Sequence, residues 1–187
     1  MNIALTGGFA DPARDAAHAF RAVTEAMARP GMILTVTGAN PPRISAAAGI
    51  TLLTLCDTTT PLHLAGATDT AELRDWIAFH IGAPLVTAEK AAFALGDWRS
   101  LQPIDRFPQG LPDYPDRSAT LIVEMESLSN QGPRLTGPGI QHHAHLSLPE
   151  TAAFRANAAL FPLGLDFILT SGDQLAALPR TSRVEDN

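Results

Sequence analysis

The apolar positions of this chain change period several times, and each change marks an element. Ala16, Phe20, Val23 and Met27 recur at helical spacing, with Arg14, Arg21 and Glu25 between them. Asp11-Pro12 in front supplies an N-cap and a first-turn proline. Arg29-Pro30-Gly31 behind stops the helix, because proline disfavours helical geometry in the residue before it and glycine tolerates a reversal. Met32–Val36 reads as a short strand and Gly38–Arg43 as a loop around its proline pair. Ser45–Leu55 is apolar on every side, the pattern of a buried helix. Pro61–Ala65 reads as a strand. Thr68–Glu72 opens another helix, with Asp69 as cap and Glu72 three residues on. Leu73, Trp76, Ile77 and His80 then share one face, and Gly82 ends the run.

The second half is richer in strands. Pro84–Thr87 and Ala91–Leu95 read as short strands, and Gly96–Arg117, with four prolines and two glycines, as one irregular excursion. Loops of that length inside a compact domain are usually functional or mobile. Ser118–Met125 is the clearest central strand, and Arg134–Thr136 is expected to pair with it across the turn at Ser129–Pro133. Pro149–Phe161 reads as a helix that turns Ala153, Phe154 and Ala158 to the core. Leu165–Thr170 and Gln174–Leu178 form a hairpin around Ser171-Gly172-Asp173. The order predicts an α/β fold, a mixed sheet covered by helices, and not an all-parallel one.

Length and composition narrow the function classes. A chain of 187 residues, 45% hydrophobic and 17% charged, has the size of one domain (1–187) and excludes intrinsic disorder. Thirteen basic against nineteen acidic residues give a net charge of -6 without any basic run, so no nucleic-acid partner is expected. Apolar stretches such as Thr120–Val123 and Leu165–Leu169 are too short to span a bilayer, so no membrane partner is expected either. Met1–Thr6 lacks the basic start and apolar run of a secretory signal. Cys56 stands alone, which excludes a disulfide or a Cys-based zinc site within the chain and fits a reducing compartment. A cytoplasmic location is the expectation.

Candidate chemistry is sparse. Thr136-Gly137-Pro138-Gly139 follows a predicted strand, and a glycine turn there can cradle a phosphate or phosphonate on backbone N–H groups or simply make a sharp reversal. His142, His143 and His145 lack a nearby carboxylate before Glu150, so a solvated loop outweighs a metal site, and no metal is expected. Arg180-Thr-Ser-Arg183 sets two guanidinium groups and two hydroxyls close together, suited to an anion or to a partner surface. Asp166 stands inside an apolar strand and must find a donor. Lys90, the one lysine, has nothing resembling a phosphate cup beside it. No nucleophile–base pair can be assembled from spacing, so the catalytic residues are unknown.

Several stretches together resemble a known family. Phe20–Gly31, Leu52–Asp57, the neighbourhood of Phe79–Leu85, Leu135–Ile140, Phe161–Thr170 and Leu178–Glu185 match, in order and spacing, the H component of the bacterial carbon–phosphorus lyase system. The resemblance covers nearly the whole chain. It implies a place in organic phosphonate catabolism, in a core complex of components G, H, I and J that breaks unactivated C–P bonds. In the first step a phosphonate displaces adenine from the ribose of ATP, giving a ribose 1-phosphonate 5-triphosphate. The I component is credited with that chemistry, with G, H and a separate L component assisting. The resemblance further implies a homodimer and an αβα sandwich like that of pyridoxal-phosphate-dependent transferases, without the cofactor. Arg29, Thr136, Gly137, Gly139, Asp166, Arg180 and Thr181 carry over as motif positions, and Arg183 joins them as an anion- or partner-binding candidate. The His142–His145 tract departs from the family pattern. The expectation is an accessory subunit that is not catalytic alone. The alternative is a stand-alone enzyme or sensor that binds a nucleotide or phosphonate in an anionic-ligand cleft.

Overall fold

The computed structural model of the chain describes residues 6–185. The reading of the first residues as no secretory signal falls mainly on Met1–Leu5, outside the described residues. Helix α1 (Pro12–Ala28) begins at Asp11, whose side chain accepts from the Arg14 N–H, and ends at Arg29, whose N–H still reaches the Glu25 carbonyl. Its buried positions are Ala19, Val23 and Ala26, while Phe20 is 54% exposed. The helical period was legible, but its inward face lies one residue away from the large aromatic. Helix α2 (Ala46–Leu55) is buried through its first two turns, as an all-apolar helix must be. Helix α3 (Ala71–His80) is capped by Thr70, whose hydroxyl accepts from the Leu73 N–H, and not by Asp69, which pairs with Arg74 instead. A 3-10 turn over Gly66–Thr68 shifts the helix start. Leu73, Trp76 and Ile77 are fully buried, as their spacing predicts.

The sheet is mixed. Strands β1 (Leu34–Thr35), β2 (Leu62–Leu64), β3 (Phe93–Asp97), β6 (Thr120–Glu124), β9 (Asp166–Ser171) and β10 (Gln174–Leu178) form a six-stranded sheet in the order β1-β10-β9-β6-β3-β2. The pairings β2–β3, β3–β6 and β6–β9 are parallel; β9–β10 and β10–β1 are antiparallel. The expected hairpin thus joins β9 and β10 around Gly172. Pro84–Thr87 contributes only a single bridge, Leu85 to Leu62, at the β2 edge. The excursion 96–117 is less irregular than its prolines suggest: β4 (Gln109–Leu111) and β5 (Tyr114–Ser118) make a hairpin within it and just beyond.

Arg134–Thr136 does not pair with the central strand. As β7 it lies between β8 (Ala144–His145) and β11 (Arg183–Glu185) in a separate three-stranded sheet. Strict alternation sends Leu95, Ile122, Ile168 and Leu175 to one face, under α1–α3. Leu121, Val123, Phe167, Leu169 and Ala176 go to the other. That second face is covered by one short helix, α4 (Ala152–Ala158), together with Leu135 of the small sheet and loop residues such as Leu101, Phe107 and Leu146. The layers are therefore unequal: three helices on one side, mixed cover on the other. No described helix is long and apolar enough to cross a membrane.

At the end of β6 the Glu124 carboxylate accepts from the backbone N–H of Ser45, the N-cap of α2. Burial pushes this carboxyl above the usual glutamate range, opposed by the Ser45 hydrogen bonds. The unfolded chain keeps the ordinary value, near 4.3 for glutamate. Between that value and the raised one the folded state binds more protons. The contribution of Glu124 to stability is therefore fully present below the ordinary value and weakens as pH rises through the window. Glu124→Gln keeps an acceptor for Ser45 and does not titrate. Urea unfolding from about pH 4 to about pH 8 should show the wild type losing stability relative to Glu124→Gln as pH rises. Parallel curves would mean that the carboxyl titrates alike in both states.

Candidate functional site

Asp166 opens β9 at the rim of the sheet, and Arg180 leaves β10 at the same end. The Arg180 backbone N–H donates to Asp166 Oδ1 at 2.8 Å, its Nε donates to the same oxygen at 3.2 Å, and its Nη2 donates to Oδ2 at 2.5 Å. Nη1 donates to the Pro115 carbonyl at 2.7 Å, and Nη2 also donates to the Ser118 hydroxyl. Four of the five guanidinium N–H bonds are thereby engaged inside the fold. The two side chains are only 13% and 18% exposed. The donor that Asp166 requires is this arginine, and the arginine read as an anion contact is instead a clamp between β9, β5 and the chain leaving β10.

The glycine turn is also built for backbone approach. Gly137 has φ +134°, and a Cβ there would stand 2.9 Å from the Thr181 carbonyl oxygen. Gly139 has φ +81°, and a Cβ would strike the carbonyl of Ala28 at the end of α1. Thr136 donates its hydroxyl to Glu185 at 3.0 Å, while Glu185 also pairs with Arg134 across β7 and β11. The Thr136 hydrogen bond leads the causes that hold the Glu185 carboxyl below its usual range.

The eight sequence candidates do not converge on one site. Gly137, Thr181 and Arg183 line a cavity of about 360 Å³ together with Arg180 and the exposed Phe161. Within it Arg183 is exposed, and its side chain has no hydrogen bond or ion pair among the described residues. Arg29 and Gly139 line a different hollow with His143, and Arg29 is engaged with Glu25 in an exposed i,i+4 pair. His143 and His145 stand edge to face at 5.5 Å, with His145 Nδ1 bonded to the Gly132 carbonyl. No described group of three or more His, Cys, Asp or Glu could hold a metal ion.

A second concavity, of about 600 Å³, lies at the β2 edge and gathers residues from four segments: His63, Asp69 with Arg74, Glu89 with Lys90, and Arg106. In the sequence Lys90 stands alone, without a context that would give it a role. No motif joins positions so far apart, so only the fold could bring them together.

The whole chain has relatives among known proteins. The sequence profile of a family described as "Bacterial phosphonate metabolism protein (PhnH)" matches residues 7–185. A protein of Rhizobium meliloti (strain 1021) named "Alpha-D-ribose 1-methylphosphonate 5-triphosphate synthase subunit PhnH" is 39% identical over 190 residues, covering 96% of this chain and 95% of that protein. A Stutzerimonas stutzeri protein described as "Putative C-P lyase subunit protein HtxG" is 30% identical over 174 residues, covering 89% of this chain and 84% of its own length.

Removing one partner of a buried ion pair strands the other charge, at a cost of about 3–5 kcal/mol. Arg180→Ala and Asp166→Ala should each destabilise the protein by about that much. Their double variant should fall short of the sum by about 0.5–3 kcal/mol. Urea unfolding of the four proteins measures this, and additive losses would show that the two side chains act separately.

Proposed function

The chain belongs to the PhnH family of bacterial phosphonate metabolism proteins, and on that premise we propose that it is an accessory subunit of a carbon–phosphorus lyase assembly. In this reading it supports displacement of adenine from ATP by an alkylphosphonate and does not itself carry the reacting groups. One observation carries the proposal: the family match runs unbroken through residues 7–185, and the Rhizobium relative, itself named as a synthase subunit, is matched over 95% of its length. The engagement of Arg180 with Asp166, Pro115 and Ser118 supports the accessory role. The most buried cation of the C-terminal turn serves the fold and is not held ready for a substrate.

The partners in this reading are a second copy of the chain and subunits G, I and J, in the cytoplasm. Phe20, Phe79 and Phe161, exposed at 54%, 59% and 60%, supply apolar surface for such contacts. The chain is taken as one folding unit, since both apolar clusters draw on the strands of the same sheet. The proposal also takes the mixed sheet as a relative of pyridoxal-phosphate transferase sheets that has no cofactor. In support, Lys90 is exposed on a 3-10 turn, whereas desolvation in an apolar pocket is what readies a lysine amine for a Schiff base.

Tagged protein should retain subunits G, I and J in a pull-down, and light scattering of the isolated chain should give a dimer mass. In an adenine-release assay with ATP and methylphosphonate, the chain alone should be inactive. Adenine released by the chain alone would overturn the accessory reading. Incubation with pyridoxal phosphate should leave no Schiff-base absorbance band, and a band abolished by Lys90→Ala would contradict the cofactor-free fold.

A further inference from the structure

The concavity at the β2 edge has the volume of a small-molecule site, about 600 Å³. Its charges sort into engaged and free. Arg74 grips Asp69 with two hydrogen bonds, Nε to Oδ1 and Nη2 to Oδ2, so that pair is closed on itself. The Glu89 carboxylate turns back onto its own backbone N–H and the Thr87 side chain, which hold it below the usual range, with a smaller contribution from the Arg106 charge. The Lys90 side chain has no hydrogen bond or ion pair among the described residues. Among the described residues Arg106 has no carboxylate in ion-pair contact: its Nη2 donates to the Ser100 carbonyl at 2.8 Å, and its Nε is buried without a partner there. The wall therefore offers two cations without ion-pair partners in a chain whose net charge is -6.

The surroundings hold these groups in place. The Arg106 guanidinium lies over the Phe107 ring, 5.1 Å from its centre. His63 meets the same ring edge to face at 5.9 Å and is fixed by its Nδ1 on the Val86 carbonyl. Leu64, Leu85 and Val86 supply an apolar wall beside the charges.

We propose that this concavity binds a small molecule carrying a tetrahedral phosphoryl or phosphonyl oxyanion on a body with an apolar face. Lys90 and Arg106 hold the oxyanion, and Leu85 and Val86 lie against the body. The kind of anion follows from the two cations. A phosphoryl or phosphonyl group carries more charge and more acceptor oxygens than a carboxylate. The Arg106 Nε is buried and one Nη2 N–H serves Ser100, which leaves Nη1 and the other Nη2 N–H for a ligand. A tetrahedral oxyanion can meet these donors and the Lys90 point charge through separate oxygens at once. The site is distinct from the C-terminal turn, and the inference concerns the isolated chain. A chain that assembles without binding, or binds without assembling, separates it from the accessory reading.

The test is calorimetric titration of the purified full chain with phenylphosphonate, phenyl phosphate, benzoate and benzyl alcohol. The two phosphorus probes should saturate and bind at least tenfold more tightly than benzoate, with the neutral alcohol weaker still. The ratio between phenylphosphonate and phenyl phosphate tells which source of the oxyanion the site prefers. Lys90→Gln should weaken the preferred probe at least tenfold with an unchanged melting temperature, since the exposed Lys90 side chain makes no hydrogen bond or ion pair among the described residues. Arg106→Gln should weaken it similarly, and Arg183→Gln should leave it unchanged. Absence of saturable binding, equal affinity for benzoate, or Lys90→Gln binding like the wild type would each overturn the proposal. Loss of binding in Arg183→Gln alone would place the anion at the C-terminal turn and overturn it as well.

Discussion

A carboxylate placed among apolar residues cannot remain unpaired, and Asp166 stands between Leu165 and Phe167 at the start of a central strand. Three otherwise separate segments are organised by its requirement for donors. The chain leaving β10 must return to the same rim so that Arg180 can supply both a backbone and a side-chain N–H. The β4–β5 hairpin must come close enough for Pro115 and Ser118 to occupy the far side of the guanidinium. Once Arg180 is fixed, the chain turns through Thr181 and Ser182 and delivers β11 to β7. The three-stranded sheet thus begins a few residues from the clamp. Such a pair adds little net stability compared with apolar residues of similar size, but it admits few alternative arrangements.

The two faces of the six-stranded sheet are filled by different means, and this bears on function. Under α1, α2 and α3 the cover is regular, and the sole cysteine lies buried there, its thiol pushed up to about 12 mainly by burial and so unreactive. On the other face a single short helix cannot cover the strands. Loop residues such as Leu101, Phe107 and Leu128 complete the cover. Irregular cover leaves recesses, and both the C-terminal cavity and the β2-edge concavity involve residues from this side. Loops carried on a rigid sheet are where binding groups are commonly found.

The arginines divide in the same way. Arg29, Arg43, Arg74 and Arg134 form exposed pairs with Glu25, Glu72, Asp69 and Glu185, which solvent screens and which contribute little to stability. Those pairs neutralise charge locally without fixing the fold. Arg180 fixes the fold and is withdrawn from solvent. Among the cations with no ion pair in the described residues, Arg106 and Lys90 line one recess and Arg183 another.

The sequence alone determined the elements whose signals are local. Helix starts at Asp11 and Ser45, the buried face of Leu73, Trp76 and Ile77, the all-apolar α2 and the β9–β10 hairpin all follow from spacing and capping within a few residues. The family resemblance was legible for a related reason, since it rests on the order of short segments along the chain. Tertiary structure decided what spacing cannot encode. Thr136 looked ready to continue the central sheet, yet β7 lies between β8 and β11, because a three-residue strand carries no record of its partner. Phe20 was in phase with a helix, but small alanines let α1 lie close to α2 and left the aromatic outside. Arg180 and Arg183 are three residues apart in sequence, and only packing makes one a clamp and leaves the side chain of the other exposed. His63, Lys90 and Arg106 share a recess through the β2 edge and the 3-10 turns beside it, and contacts of such long range leave no pattern in the order of residues.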